Sequence, residues 1–243
     1  MLMVRKVALF IPCFVDQLIP QVGLDTARVL ERIGWEPWFP EQQTCCGQPA
    51  FNAGYWDEAR PLAERFLQVF AEAEYVVCPS GSCTAMVRKF YPELLGDRFL
   101  DQVQSLVKRV FEFSEFLVGV AGVTDVGASF PHTVTYHDSC HALRELGIRS
   151  QPRQLLSNVR GLELVEMPAS EECCGFGGTF SVKFGAISAA MGEHKADAIS
   201  STGAEFVTSA DPSCLMHIDG ILRRQNRTTC TISLPSILAQ ETQ

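Results

Sequence analysis

A chain of 243 residues, 47% hydrophobic and 20% charged, has the make-up of a folded globular protein, long enough for one large α/β domain or for two halves of about 120 residues that each bury a core. A formal net charge of −8, with Lys and Arg scattered, excludes the basic stripe that tracks a nucleic-acid backbone. Ten cysteines are too sparse for a small disulfide scaffold in a chain that needs no stapling, so they point to metal or redox chemistry in a soluble, reducing, cytoplasmic setting.

Along the chain, Arg5 and Lys6 lead into the run Val7-Ala8-Leu9-Phe10-Ile11. This run imitates a secretory signal, but it is short, meets Pro12, Cys13 and Asp16, and has no small-residue cleavage site, so residues 6–11 read as a strand. Helical spacing follows over 17–33, a second strand over 35–39, a helix over 56–73 and a third strand over 74–78. Trp35, Trp38 and Phe39 read as core or as an interface edge. Helical patterns occupy 84–94 and 102–119. The apolar stretch from Phe111 to Val123 is interrupted by Glu112, Ser114 and Glu115 and is too short to span a bilayer, so no transmembrane segment is expected. Residues 119–131, containing Gly and ending at Pro131, read as a linker. Strands are then expected at 133–137, 162–166 and 205–209, with helices at 151–159, 181–201 and 213–225. Alternating strands and helices predict an α/β fold of two parallel-sheet, Rossmann-like units, 1–124 and 125–243.

The cysteines carry an internal duplication. Cys13 maps to Cys140 at an offset of 127, Cys45 and Cys46 to Cys173 and Cys174 at 128, and Cys83 to Cys214 at 131. Both cysteine pairs are followed by glycine, Gly47 and Gly175. Most of the matched cysteines lie just after a predicted strand, where the loops of an open parallel sheet converge on a ligand. Three loops per half would bring four thiols to a common rim.

Thiolates are soft ligands, and four around one centre suit an iron–sulfur cluster or structural zinc. The candidate ligands are Cys13, Cys45, Cys46 and Cys83 in one half and Cys140, Cys173, Cys174 and Cys214 in the other. Adjacent cysteines in an extended strand point to opposite sides, so both serve one site only if the backbone turns, which Gly47 and Gly175 tolerate. Cys78 and Cys230 have no counterparts and read as small apolar residues. His137 and His141 flank Cys140 and are candidates to donate to a sulfur or to sit near a substrate, with His141 also a candidate ligand, whereas His132, His194 and His217 read as surface or helix residues. Asp138 and Asp211 share loops with cysteines, as hydrogen-bond partners or hard donors. The run from Cys173 to Phe180 is glycine-rich but lacks the Walker lysine and the full dinucleotide fingerprint, so no phosphate loop is expected.

These residues resemble the cysteine-rich CCG-domain family of iron–sulfur oxidoreductases, found in the B subunit of heterodisulfide reductase and the iron–sulfur subunit of glycolate oxidase. The family pattern is Cys, then CysCys, then CysXxxXxxCys. Ser80-Gly81-Ser82-Cys83 and Asp211-Pro212-Ser213-Cys214 keep only the second cysteine of the last element, a departure that argues against the five-cysteine, non-cubane cluster site of heterodisulfide reductase and leaves four cysteines per half. The segments IPCFVDQL, PEQQTCCGQPAFNAGYWDEA, PSGSC, HDSCHALRELGI and ECCGFGGTFSVKF are similar to the lactate-utilisation branch of the family. That resemblance implies an iron–sulfur cluster, 4Fe–4S in kind, in each half, with zinc as the alternative in one site. It also implies electron transfer beside other subunits of a complex that oxidises L-lactate to pyruvate. The chain is not expected to turn over lactate alone, since it shows no proton-abstracting base and no flavin or nicotinamide fingerprint. A thiol–disulfide reductase component and a zinc-stabilised scaffold are the competing expectations. The halves are expected to differ, because Gln48-Pro49-Ala50 follows the first CCG and Phe176-Gly177-Gly178 the second.

Overall fold

The computed structural model describes residues 5–241; residues 1–4 and 242–243, the outer ends of the two expected units, lie outside the described residues. The first half runs β1 (Arg5–Leu9), α1 (Cys13–Leu18), α2 (Gln21–Arg32), β2 (Trp35–Trp38), α3 (Gln48–Asn52), α4 (Trp56–Val69), β3 (Val76–Cys78) and α5 (Gly81–Ala85). A π-helical turn, Met86–Phe90, joins α5 to α6 (Tyr91–Leu95), followed by α7 (Leu100–Val107), β4 (Val110–Glu112) and α8 (Phe113–Glu115). The second half runs β5 (Thr133–His137), a π-helical turn His141–Glu145, α9 (Ser150–Ser157), β6 (Glu163–Leu164), α10 (Thr179–Lys183), α11 (Gly185–Ser200), β7 (Phe206–Ser209), α12 (Pro212–Arg224), β8 (Cys230–Thr231) and α13 (Leu234–Ala239).

Each half builds a four-stranded, all-parallel sheet, and the strand orders correspond: β2-β1-β3-β4 and β6-β5-β7-β8. Val7, Ala8 and Leu9, the whole of β3, and Val207 through Ser209 are buried, as strands covered on both faces must be. The helices bury one stripe. On α2, Val22, Thr26, Val29 and Leu30 recur at helical spacing, and on α12 Leu215, Ile218, Ile221 and Leu222 do the same. Fully burying a Val or Leu of such a stripe contributes roughly 1.5–3 kcal/mol.

The two halves share a core. Val7, Leu9 and Val15 pack in one cluster with Val134, Tyr136, Leu155 and Leu234. At the C-terminal end, α13 lies on α2, where the Arg32 guanidinium donates to the carbonyls of Leu238 and Ala239 at 2.8 and 2.6 Å and Ser236 Oγ donates to Asp25 at 2.7 Å. Above the sheets, Gly81 N–H donates to the Ala210 carbonyl at 3.0 Å and Ser82 N–H to Asp211 Oδ2 at 2.7 Å. A β-carbon at Gly81 would stand 2.7 Å from Ala142 Cβ, so the first turn of α5 approaches the second half as closely as glycine allows.

Three expectations are corrected. The segment 102–119 is not one helix: it is α7, β4 and α8, because Val110 and Glu112 pair with Val76 and Cys78 and Glu112 then caps the next turn. The Glu112 carboxylate accepts from the amides of Ser114 and Glu115, and Glu115 accepts from the Glu112 amide, a reciprocal cap that starts α8 where β4 ends. The segment 84–94 is a short helix, a π turn and a second helix. Cys230 is exposed on the edge strand β8 rather than packed as a small apolar residue, whereas Cys78 is fully buried. Trp35 is core, while Trp38 and Phe39 are exposed. Among the described residues no helix is long and apolar enough to cross a membrane.

Candidate metal centre

The sheets set the positions of the thiols. Cys13 starts α1 just after β1, Cys45 and Cys46 sit in the loop after β2, and Cys83 lies in α5 after β3. Cys140 follows β5, Cys173 and Cys174 lie in the loop after β6, and Cys214 is in the first turn of α12 after β7. In each sheet the first strand has the second on one side and the third on the other, so the loops leaving it and the third strand diverge and open a crevice. All ten cysteines are free thiols. All eight matched cysteines line one cavity of about 180 Å³. Sequence spacing groups these residues by half; the fold turns both groups towards each other.

Within each half the thiols form a chain of contacts: Cys13 to Cys45 to Cys46 to Cys83, and Cys140 to Cys173 to Cys174 to Cys214. The second member accepts from both neighbours, which holds Cys45 and Cys173 well below the ordinary thiol range. Donating to them keeps Cys13 and Cys140 protonated to far higher pH, and burial adds to this. Cys46 and Cys174 are raised in the same way. Each tetrad therefore ionises first at its second cysteine and resists further charge, a repulsion that a bound cation relieves. Backbone amides add to the pattern: Gly47 N–H lies 3.4 Å from Cys45 Sγ, and Gly175 N–H 3.4 Å from Cys173 Sγ. These amides turn inward because Gly47 and Gly175 adopt left-handed φ values of 84° and 92°. The donor set thus fits a soft metal or an iron–sulfur cluster: four sulfurs, one ready to ionise, with an N–H on it.

The other candidates divide by their partners. His141 Nδ1 lies 3.6 Å from Cys140 Sγ. Asp138 is committed elsewhere, since Arg153 donates to both its oxygens at 2.8 Å and Ser170 Oγ donates at 2.9 Å. Burial would raise that carboxyl, but the Arg153 bonds hold it below its ordinary value. Asp211 caps α12 through Ser213 and accepts from Ser82 of the other half, so it joins the rims of the two sites. His137 is completely buried, with Nδ1 3.2 Å from the Ser170 carbonyl, and a ring nitrogen of His137 and the Sγ atoms of Cys174 and Cys214 lie within 4.8 Å of one another. Burial, with the Lys195 cation nearby, pushes this imidazole down to about 4. His132 and His194 are paired with Glu205 and Glu172 at the surface. His217 lies on α12 as expected, half-buried against Gly192, and its Nε2 has no hydrogen-bond partner among the described residues.

Several supporting residues carry no signal in the sequence. Tyr91 is fully buried and its hydroxyl donates to the Cys46 carbonyl at 3.0 Å, fixing the cysteine pair. Gln43 accepts from Ile11 N–H at 2.8 Å and donates to Leu9 and Pro40 carbonyls, tying β1 to the loop before Cys45. In the second half Lys195, itself buried, donates to the Ala169 carbonyl at 2.6 Å and braces the loop before Cys173. Each is an isolated polar residue with no periodic pattern, and only the folded contacts give it a role.

The family CCG, described as a cysteine-rich domain, matches this chain twice, over residues 7–88 and 134–219. The chain is 45% identical over 235 residues to lactate utilization protein A of Bacillus subtilis (strain 168), covering 96% of this chain and 98% of that protein. It is 47% identical over 235 residues to lactate utilization protein A of Halalkalibacterium halodurans, covering 96% of each. A crystal structure of a hypothetical protein from Helicobacter pylori has a similar fold, with a TM-score of 0.69 at 12% identity; it covers 96% of this chain, which spans 48% of that one.

Proposed function

The chain belongs to the cysteine-rich domain family CCG, and from that membership we propose that it is the iron–sulfur electron-transfer member of a system oxidising L-lactate to pyruvate, working in the reducing cytoplasm. The observation that carries this reading is the convergence of two four-cysteine chains on one cavity. Cys13, Cys45, Cys46 and Cys83 would hold one cluster, and Cys140, Cys173, Cys174 and Cys214 the other. An iron–sulfur cluster, when bound, stores and releases single electrons at a potential set by charge, hydrogen bonding and exposure.

The chain's own residues adjust those quantities. The amides of Gly47 and Gly175 stabilise negative charge on Cys45 and Cys173. Phe14 and Phe176 line the cavity and displace water from the sulfurs. Cys13 is exposed and Cys83 half-buried, whereas Cys140 is half-buried and Cys214 buried, so the second tetrad is the drier one. Lactate chemistry falls to partner subunits. A second reading, a component reducing a disulfide, is favoured by the cavity that both tetrads share.

The test is an anaerobic preparation analysed for iron, sulfide and zinc with its visible absorption, followed by lactate turnover in mixtures omitting one component at a time. Iron and sulfide in stoichiometric amount, and turnover lost without this chain, support the proposal. Zinc without sulfide, or turnover unchanged without the chain, leaves a zinc-stabilised scaffold. Reduction of a disulfide but not response to lactate establishes the second reading.

A further inference from the structure

The two halves differ at the position three residues before their first cysteine: Phe10 precedes Cys13 and His137 precedes Cys140. Phe10 is fully buried and edge-packed on Phe66 and Phe70, with ring centroids at 4.8 and 5.8 Å, so nothing there can bind a metal. His137 is equally buried but polar. The Ser170 carbonyl can only accept, so the ring nitrogen 3.2 Å from it, Nδ1, carries the proton. Nε2 is then a bare lone pair, and it has no hydrogen-bond partner among the described residues. A buried acceptor left in this state costs stability unless something fills it.

Its neighbours are the two buried thiols of the second tetrad. A ring nitrogen of His137 and the sulfurs of Cys174 and Cys214 fall within 4.8 Å of one another, and Nε2 is the nitrogen still free. We propose that His137 is a nitrogen ligand, through Nε2, to the metal of the second half, alongside Cys174 and Cys214. This rests on the reading of the cysteines as a metal centre. The first half then offers sulfur only, and the second a mixed imidazole and thiolate set of the kind that suits iron, cobalt or zinc.

The surroundings are those of a ligating imidazole, whose second nitrogen is characteristically tied to a backbone carbonyl. That carbonyl is held in place: Ser170 O also accepts from Asp138 N–H at 3.1 Å and from Lys195 Nζ at 3.4 Å. Ala169, just before it, sits at a φ of 53°, a left-handed conformation that a β-carbon disfavours, and its own carbonyl accepts from Lys195. Ring orientation and tautomer are thus set before any metal arrives.

The experiment adds Co(II) anaerobically to the full chain carrying Cys45→Ser and Cys46→Ser, which leaves the second tetrad intact. Thiolate-to-cobalt absorption reports sulfur binding, and pulsed EPR reports coupling to nitrogen. The proposal expects a directly bound nitrogen that disappears in His137→Phe, with cobalt affinity at least about tenfold weaker. His141→Phe controls for the half-buried imidazole beside Cys140 and should keep the coupling. Thiolate bands without nitrogen coupling, or coupling lost only in His141→Phe, overturn the histidine assignment and leave the cysteine centre standing. Absence of thiolate bands, in this variant and in the unmodified chain, overturns both. The nitrogen measurement on the parent does not depend on His137→Phe folding.

Discussion

Replacing Gly175 by alanine, and separately Gly47 by alanine, separates two contributions that the repeated CCG sequence makes look the same. Both glycines hold left-handed backbone, at 92° and 84°, so an added β-carbon costs each about 1–2 kcal/mol in conformation. Their surroundings differ. At Gly47 the atoms nearest the new carbon all belong to Ala59, the closest being its carbonyl oxygen at 3.4 Å, an ordinary contact. At Gly175 it would stand 2.6 Å from the Ser188 carbonyl oxygen and 2.9 Å from Met191 Cβ. Those atoms belong to α11, so the helix must retreat, and retreat loosens the 2.7 Å bond from Ser188 Oγ to the Gly175 carbonyl. Overpacking of this kind adds roughly 1–3 kcal/mol. Gly175→Ala should therefore lose about 2–5 kcal/mol, and Gly47→Ala only the conformational part. Urea unfolding of the metal-free chain, followed by circular dichroism, should show midpoints about 1 M apart. Equal midpoints, or a larger loss for Gly47→Ala, would refute the claim that α11 closes on the second cysteine pair.

Among the cysteines, Cys45→Ser and Cys174→Ser should remove most of the cluster absorption of their own half from anaerobically reconstituted protein. Cys78→Ser and Cys230→Ser should retain it, because neither residue lines the cavity; equal iron loss in all four variants would count against the assignment. A pH dependence follows from Glu112, whose burial pushes its carboxyl from 4.5 to about 8. The folded chain then binds a proton that the unfolded chain has released, so stability falls as pH rises from 4.5 through 8. Glu112→Gln keeps an acceptor for the Ser114 and Glu115 amides and should flatten the decline in urea midpoint between about pH 6 and about pH 9. An unchanged slope would remove Glu112 as its source.

What the sequence by itself determined is local and repetitive. The near-constant cysteine offset, the apolar runs before the thiols and the glycine after each pair are contained in short segments, and they are enough to predict two parallel α/β units with four ligands apiece. The resemblance to the CCG family rests on the same residues, and the family match over 7–88 and 134–219 covers them. The elements that were missed depend on distant neighbours. Strands β4 and β8 have three and two residues, too short for a periodic pattern, and become strands because β3 and β7 offer free edges. Cys230 is apolar in sequence context yet exposed, because β8 is an edge strand. Only the tertiary structure turns both tetrads into one cavity, through Gly81 against Ala142 and Ser82 against Asp211, contacts with no local signature because their partners are distant in the chain. Only the tertiary structure, too, distinguishes His137 from the other four histidines. The property that matters, a buried lone pair beside two sulfurs with its second nitrogen tied to a carbonyl, is assembled from the end of β5, the loop after β6 and the first turn of α12, and belongs to no single stretch of sequence.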